Sequence, residues 1–160
     1  MDTRAVPRLF AVTSEPQVLG SAAHFITLRF LASAHHPPPS RLPKLSLVGA
    51  SPASGGAYQA VFLNFEDMVD RGLPPVFEVY LGVPPCTAPC DDNYAGALPS
   101  SSLHAALDIS ELFTRLRSKP EWDQKHLQIL LKPRNAMRAS AALSIGRVSL
   151  YTEHGGEPPP

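Results

Sequence analysis

Charge is scarce in this chain. Asp, Glu, Lys and Arg make up 18% of its 160 residues, and the two signs cancel at 14 each. A surface without a basic excess gives no broad attraction to a phosphate backbone, so nucleic-acid binding is not expected. Long apolar runs are also missing. Nothing approaches the roughly 20 residues that span a bilayer, and no membrane association is expected. The opening stretch, Met1 to Arg8, lacks the basic region and apolar run of a secretory leader. A soluble protein is expected, with its compartment left open.

Cysteine is nearly absent. The two present, Cys86 and Cys90, lie in Pro85-Cys-Thr-Ala-Pro-Cys-Asp-Asp92. Two cysteines are no disulfide framework. Their spacing is neither the redox Cys-x-x-Cys nor a complete zinc site. Three readings stay open: a local disulfide or two free thiols, a catalytic thiol, or a pair that handles Cu(I), which thiolates select. Cys86 and Cys90 are accordingly the candidate metal residues.

Recognised catalytic patterns are missing as well. Gly55-Gly56 lacks the Lys and Ser/Thr of a phosphate loop, and no serine sits in a Gly-x-Ser-x-Gly elbow. The six histidines are scattered. His35 and His36 are neighbours in a Pro-rich loop and point apart on an extended chain. His104 and His126 would meet only if strands brought them together. Asp91-Asp92 reads as solvent-facing charge. No catalytic residue and no intrinsic cofactor is assigned, and the chain is expected not to be an enzyme by itself.

What is abundant is proline, 18 residues. Proline removes a donor and interrupts helices and central strands, so the chain is punctuated into short elements. Between the breaks, apolar residues alternate. The alternation predicts strands at Leu9 to Thr13, His24 to Leu31, Lys44 to Val48, Tyr58 to Phe65, Val76 to Leu81, Leu127 to Lys132 and Leu143 to Tyr151, the last bent at Gly146, with a further one within Ser102 to Ile109. Phe77, Val79, Leu127, Ile129, Leu131, Ile145, Val148 and Leu150 are the expected core. Ser110 is placed to cap one short helix to Leu116, with Leu112, Phe113 and Leu116 on its apolar face. Gly82 to Ser102 reads as one long irregular loop, a length that marks either a surface insertion or a functional segment. Trp122 is either a core plug at the sheet edge or an interface anchor. The expected fold is all-β, a two-sheet sandwich or jelly-roll-like domain with one short helix. One domain is expected over 1–152, followed by a disordered tail, 153–160.

Five of these pieces also stand in a familiar order. Phe77-Glu-Val-Tyr-Leu81 is followed by Tyr94-Ala-Gly-Ala-Leu98 leading to His104. Then come Leu107-Asp-Ile-Ser-Glu-Leu-Phe113, Leu127 to Arg134, and Leu143 to Tyr151. This order, over 58–151, resembles the C-terminal shielding domain of plant-type polyphenol oxidases, the tyrosinase and catechol oxidase family. In that family a mostly helical domain oxidises phenols with two copper ions held by six histidines, and the C-terminal domain covers the copper site. The copper-binding helices and their His-x-x-x-His spacings do not occur here. The resemblance therefore implies a non-catalytic accessory or shielding domain, whose partner is the catalytic domain or subunit of a copper phenol oxidase. Copper would enter only through that partner. Tyr94, the largest aromatic of the Gly82 to Ser102 stretch, and Trp122 are the candidate interaction residues. Cys86 and Cys90 fall outside the family pattern. The competing reading is an independent β-sandwich binding module for protein or carbohydrate, and fold alone does not choose between them. Whether the chain is a fragment or a separate subunit also stays open.

Overall fold

A computed structural model describes residues 8–13, 15–31, 59–84, 87–99 and 102–154. The expected strand at Lys44 to Val48 lies outside these residues. In chain order the strands are β1 Arg8–Val12, β2 Gln17–Leu19, β3 His24–Phe30, β4 Gln59–Arg71, β5 Phe77–Leu81, β6 Tyr94–Leu98 and β7 Ala105–Asp108. A helix, α1 Ser110–Arg117, precedes β8 His126–Pro133 and β9 Ala142–His154. The expectation of a predominantly β fold with one short α-helix holds among the described residues.

All strand pairs are antiparallel. They form one sheet in the order β6-β5-β8-β3-β1-β9-β4-β7, with β2 also paired to β9. The two layers of the expected sandwich are thus two halves of a single curled sheet. They join where β1 meets β3, a ladder of two residue pairs, Ala11 with Phe30 and Val12 with Arg29. On the far side the end strands β6 and β7 come together again. A Cβ built at Gly96 would lie 3.1 Å from the Leu107 side chain. Side-chain packing therefore nearly closes the sheet into a barrel.

Alternation explains which side faces in. On β5, Phe77, Val79 and Leu81 are buried while Glu78 and Tyr80 are partly exposed. Leu127, Ile129 and Leu131 of β8 and Ile145, Val148 and Leu150 of β9 complete the inward set, all at 1% exposure or less. Every residue expected in the core is there. On β3, Ile26 and Leu28 face in and Phe25, Thr27 and Arg29 face out.

One end of the barrel is plugged by rings. Phe10 lies 5.2 Å from Phe30 and 6.2 Å from Phe113, and Trp122 lies 5.5 Å from Phe113 and 5.8 Å from Phe30, centroid to centroid. Helix α1 brings in Phe113, with Leu112 and Leu116 buried beside it. Its Ser110 does not cap it as expected. The Asp108 carboxylate accepts the Ser110 N–H at 3.0 Å and the Ser110 hydroxyl at 2.6 Å. The serine oxygen in turn accepts the Val61 N–H at 2.9 Å, and the Ile109 N–H bonds the Val61 carbonyl. Sewing the helix onto β4 satisfies that strand's backbone, and this takes precedence over a local cap.

Two further differences from the sequence reading concern length. Strand β4 continues past Phe65 to Arg71, and β9 continues past Tyr151 to His154, because the two pair along their whole length. The stretch that begins at Asn64 or Glu66 and runs to Arg71, which reads in sequence as a turn region stopped by Gly72 and Pro74, is held extended by β9 as far as Arg71. The twist is absorbed at Asp67, whose φ is +54°. Opposite it sits Gly146, where an added Cβ would come within 2.8 Å of the Asp67 Cβ. Gly146, where the sequence reading expects a bend, lies at this crowded crossing.

Two substitutions test this packing. Ile129→Ala leaves a cavity at the centre of the sheet and should cost roughly 2–5 kcal/mol in denaturant unfolding. Gly146→Ala drives a methyl into Asp67 and should cost about 1–3 kcal/mol by overpacking. A cost below about 0.5 kcal/mol, the range of ordinary surface substitutions, would place either residue outside these contacts.

Candidate interaction face

Strand register assembles a site that no single segment contains. Phe25 pairs with Leu130, Leu130 with Tyr80, and Tyr80 with Tyr94. Directly paired residues share a face, so these four side chains form one row across β3, β8, β5 and β6 on the outside of the barrel. Phe25 is 39% exposed and Tyr94 41%, while Leu130 between them is buried. At about 4.8 Å per strand the row runs roughly 14 Å. Its rim is polar. Thr27 donates to Gln128 at 3.2 Å, and Arg134 donates to Glu78 at 3.3 Å.

Within the row the two tyrosines are coupled. Their ring centroids are 5.5 Å apart at 63°, an edge-to-face contact, the arrangement favoured by the ring quadrupole. The Tyr80 hydroxyl donates to the other Glu78 oxygen at 2.9 Å. Partial burial, followed by this hydrogen bond and the nearby Glu78, Tyr94 and Asp91 charges, pushes the Tyr80 phenol above its ordinary value. The hydroxyl bond to Glu78 fixes the Tyr80 ring, and Tyr94 packs edge-to-face against it.

Tyr94 is not on an irregular loop. The stretch expected as one contains a strand, β6, preceded by a 3₁₀ turn at Asp91–Asn93. Asn93 fastens that turn. Its amide nitrogen donates to the Leu81 carbonyl at 2.8 Å from a buried position, and its oxygen accepts from the Cys90 thiol at 2.9 Å. Arg115 of α1 donates to the Asp92 carbonyl at 2.8 Å. Nothing in composition separates Asn93 from its neighbours Asp91 and Asp92; only its burial under the turn does.

The other candidates are distributed differently. Cys90 is an exposed free thiol, and Cys86 lies outside the described residues, as do His35 and His36. Trp122 is half-buried in the ring cluster with Phe113 and Phe30 and is not a member of the Tyr94 row. His126 contacts Asp123 at 3.2 Å and His24 contacts Gln17 at 2.9 Å, while His104 is exposed. Among the described residues no group of three or more His, Cys, Asp or Glu side chains is placed to hold a metal ion. Among the same residues no helix is long and apolar enough to cross a membrane.

Comparison with known proteins gives three findings. A family model described as a domain of unknown function (DUF7868) matches residues 99–153. The chain is 24% identical over 116 residues to tyrosinase HcTyr1 of Hahella sp. (strain CCB-MM4), covering 63% of this chain and 25% of that protein. Among solved structures it is similar to latent aurone synthase, a polyphenol oxidase. The form from natural source has 15% identity over 86% of this chain, 26% of that chain and a TM-score of 0.46, and the recombinant form has 15% identity and a TM-score of 0.44. The chain is distantly similar in sequence to a tyrosinase, and it spans about a quarter of that relative's length. The family match takes in β7, α1, β8 and most of β9. In the sheet β8 pairs with β3 and β5, whereas β9 pairs with β1, β2 and β4, so the matched stretch depends on the strands before it.

The raised Tyr80 phenol gives a test with a defined sign. A phenol whose folded value exceeds its unfolded value contributes stability below the unfolded value, about 10, and loses it as pH rises through the folded one. Ultraviolet titration of the phenolates should show one late-ionising tyrosine, absent in Tyr80→Phe, whose stability should fall less steeply above that pH. Uniform ionisation of all the tyrosines at the ordinary value would dissolve the Tyr80–Glu78 contact.

Proposed function

We propose that this chain is a non-catalytic accessory domain of a type-3 copper phenol oxidase, and that it covers the entrance to the oxidase active site. The observation that carries this reading is the sequence similarity to a tyrosinase over a stretch amounting to a quarter of that enzyme. The other three quarters of that tyrosinase lie outside the likeness. The order of segments from Phe77 to Tyr151, which resembles the shielding domain of polyphenol oxidases, supports the same reading.

In this reading Tyr94 is the side chain that faces the oxidase. It projects from the start of a strand, its ring is braced by Tyr80, and the turn before it is pinned by Asn93 and Arg115. A braced phenol blocks a pocket better than a loop side chain does, because little side-chain entropy is lost when it is seated. The domain supplies no chemistry: it excludes substrate by volume. Copper belongs to the partner, and the thiol of Cys90 has no step in shielding.

The exposed row itself favours a second reading, an independent β-barrel binding module whose outer face takes a protein or carbohydrate. One experiment separates the two. The chain is co-expressed with the copper oxidase encoded with it, in the same or an adjacent reading frame, and phenol oxidation is measured with the chain present and after its proteolytic removal. Shielding predicts a stable complex, oxidation that rises several-fold on removal, and partial relief in Tyr94→Ala. No association with the oxidase would overturn the accessory reading in favour of the binding module.

A further inference from the structure

A carboxylate stands in the core register at one mouth of the barrel. Asp70, near the end of β4, pairs with Leu143 of β9, and Leu143 pairs with Leu19 of β2. Directly paired residues share a face. Leu19 and Leu143 are core residues at 1% exposure or less, so Asp70 is the third member of an inward row. It lies at the far end of β4 from Val61, which bonds Ile109 beside the ring cluster. The rings plug one mouth, and Asp70 stands at the other. Among the described residues nothing answers its charge: it takes part in no ion pair and no side-chain hydrogen bond. Partial desolvation raises its carboxyl above the ordinary value, the direction expected of an acid held against apolar surface without a cation.

Asp70 lines a cleft of about 200 Å³ together with Met68, Val69, Ser102 and Leu103. The Met68 N–H bonds the Leu103 carbonyl at 3.0 Å and clips the two walls together. Met68 is buried, whereas Val69 is 59% and Leu103 68% exposed. The cleft is therefore an apolar trough, open to solvent, with one acid in it. Backbone strain brackets it. Apart from glycines, the described residues with positive φ are Asp67 at +54° and Leu73 at +53°, one on each side of the Met68 to Asp70 wall. Asp67 takes up the twist opposite Gly146. Leu73 has no such duty. It is a bulky residue in the left-handed region, where such residues are rare, and with 94% of it exposed no packing offsets the strain. Strained residues of this kind cluster at ligand clamps.

Volume and charge together name the occupant. Pockets for drug-sized ligands measure about 300–1,000 Å³, so this smaller cleft suits a single long side chain. Its apolar walls accept a methylene stem and its acid accepts a cationic head, which is how lysine and arginine are built. An apolar or acidic side chain seated there would leave the carboxylate further desolvated and still unpaired. We propose that the cleft between the end of β4 and the Ser102–Leu103 segment is a binding site for a lysine or arginine side chain presented by a protein partner, with Asp70 as its counter-ion. The Tyr94 row lies on the outer face of the other half of the sheet, so this site is separate from it and does not depend on the accessory reading.

Three blocked tripeptides test the site by amide NMR of the full chain: acetyl-Leu-Arg-Leu-amide and its counterparts with Ala or Glu at the centre. The arginine peptide should shift the amides of Met68 to Asp70, Ser102 and Leu103. It should bind roughly tenfold tighter than the alanine peptide, the margin of a charge-assisted hydrogen bond. Asp70→Asn should erase that margin while the circular-dichroism spectrum stays that of the folded chain. Asp70→Lys should transfer the preference to the glutamate peptide, an outcome that no purely structural role for Asp70 predicts. Should Asp70→Lys fail to fold, the peptide ranking in the wild-type chain and in Asp70→Asn decides. Butylammonium probes a free amine as the other source of the same cation. It should bind more weakly than the arginine peptide because it lacks the flanking apolar contacts, and equal affinity would overturn the assignment to a protein side chain. Shifts confined to other surfaces, no preference for arginine, or a preference that survives Asp70→Asn would each overturn the site itself.

Discussion

The ladder between β4 and β9 is the constraint on which the rest of the structure depends. Each strand is thirteen residues long, and they pair from Gln59 with His154 to Arg71 with Ala142. Because side chains alternate with period two, that one register decides which residues of both strands enter the core. It also keeps β4 extended through Arg71. On its other side β9 carries β1 and β2, and on β4 sit β7 and the start of α1. Half of the barrel hangs on this pair.

Among the described residues the second half, β3, β8, β5 and β6, meets the first along a short ladder between β1 and β3, two residue pairs and the Leu31 N–H to Phe10 carbonyl bond. A short join permits a sharp fold of the sheet, and the hydrophobic effect drives the two inner faces together. Closure on the far side needs a gap in the side-chain layer, which Gly96 provides by leaving space for Leu107. The ring cluster of Phe10, Phe30, Phe113 and Trp122 seals one end.

The halves turn different outer faces to solvent. One bears an aromatic row ending in Tyr94, supported from beneath by Tyr80 and Leu130. The other bears the partly exposed ion pair of Glu66 with Arg147. Neither face needs charge of one sign, which fits a chain of low and balanced charge. Function on such a scaffold rests on complementarity of shape and hydrogen bonding, with long-range attraction contributing little.

Strong alternation was legible without a structure. Phe77-Glu-Val-Tyr-Leu81 and Leu127 to Leu131 announce their inward faces because large apolar residues sit at every second position. The same holds for α1, whose Leu112, Phe113 and Leu116 follow helical spacing, and the order of these pieces carried the likeness to phenol oxidase relatives. Strand β6 was hidden, since the Ala-Gly-Ala at its centre is made of poor strand formers and becomes a strand where β5 supplies its partner groups. The role of Ser110 was hidden because its contact, Val61, lies 49 residues away. Asn93 was hidden because a buried amide and an exposed one look alike in sequence. The residues by themselves determined which short segments could alternate and how they would be buried. Only the tertiary structure decided which strands are neighbours, and so which side chains form the Tyr94 row, because a row across a sheet is a property of register and no local pattern encodes it.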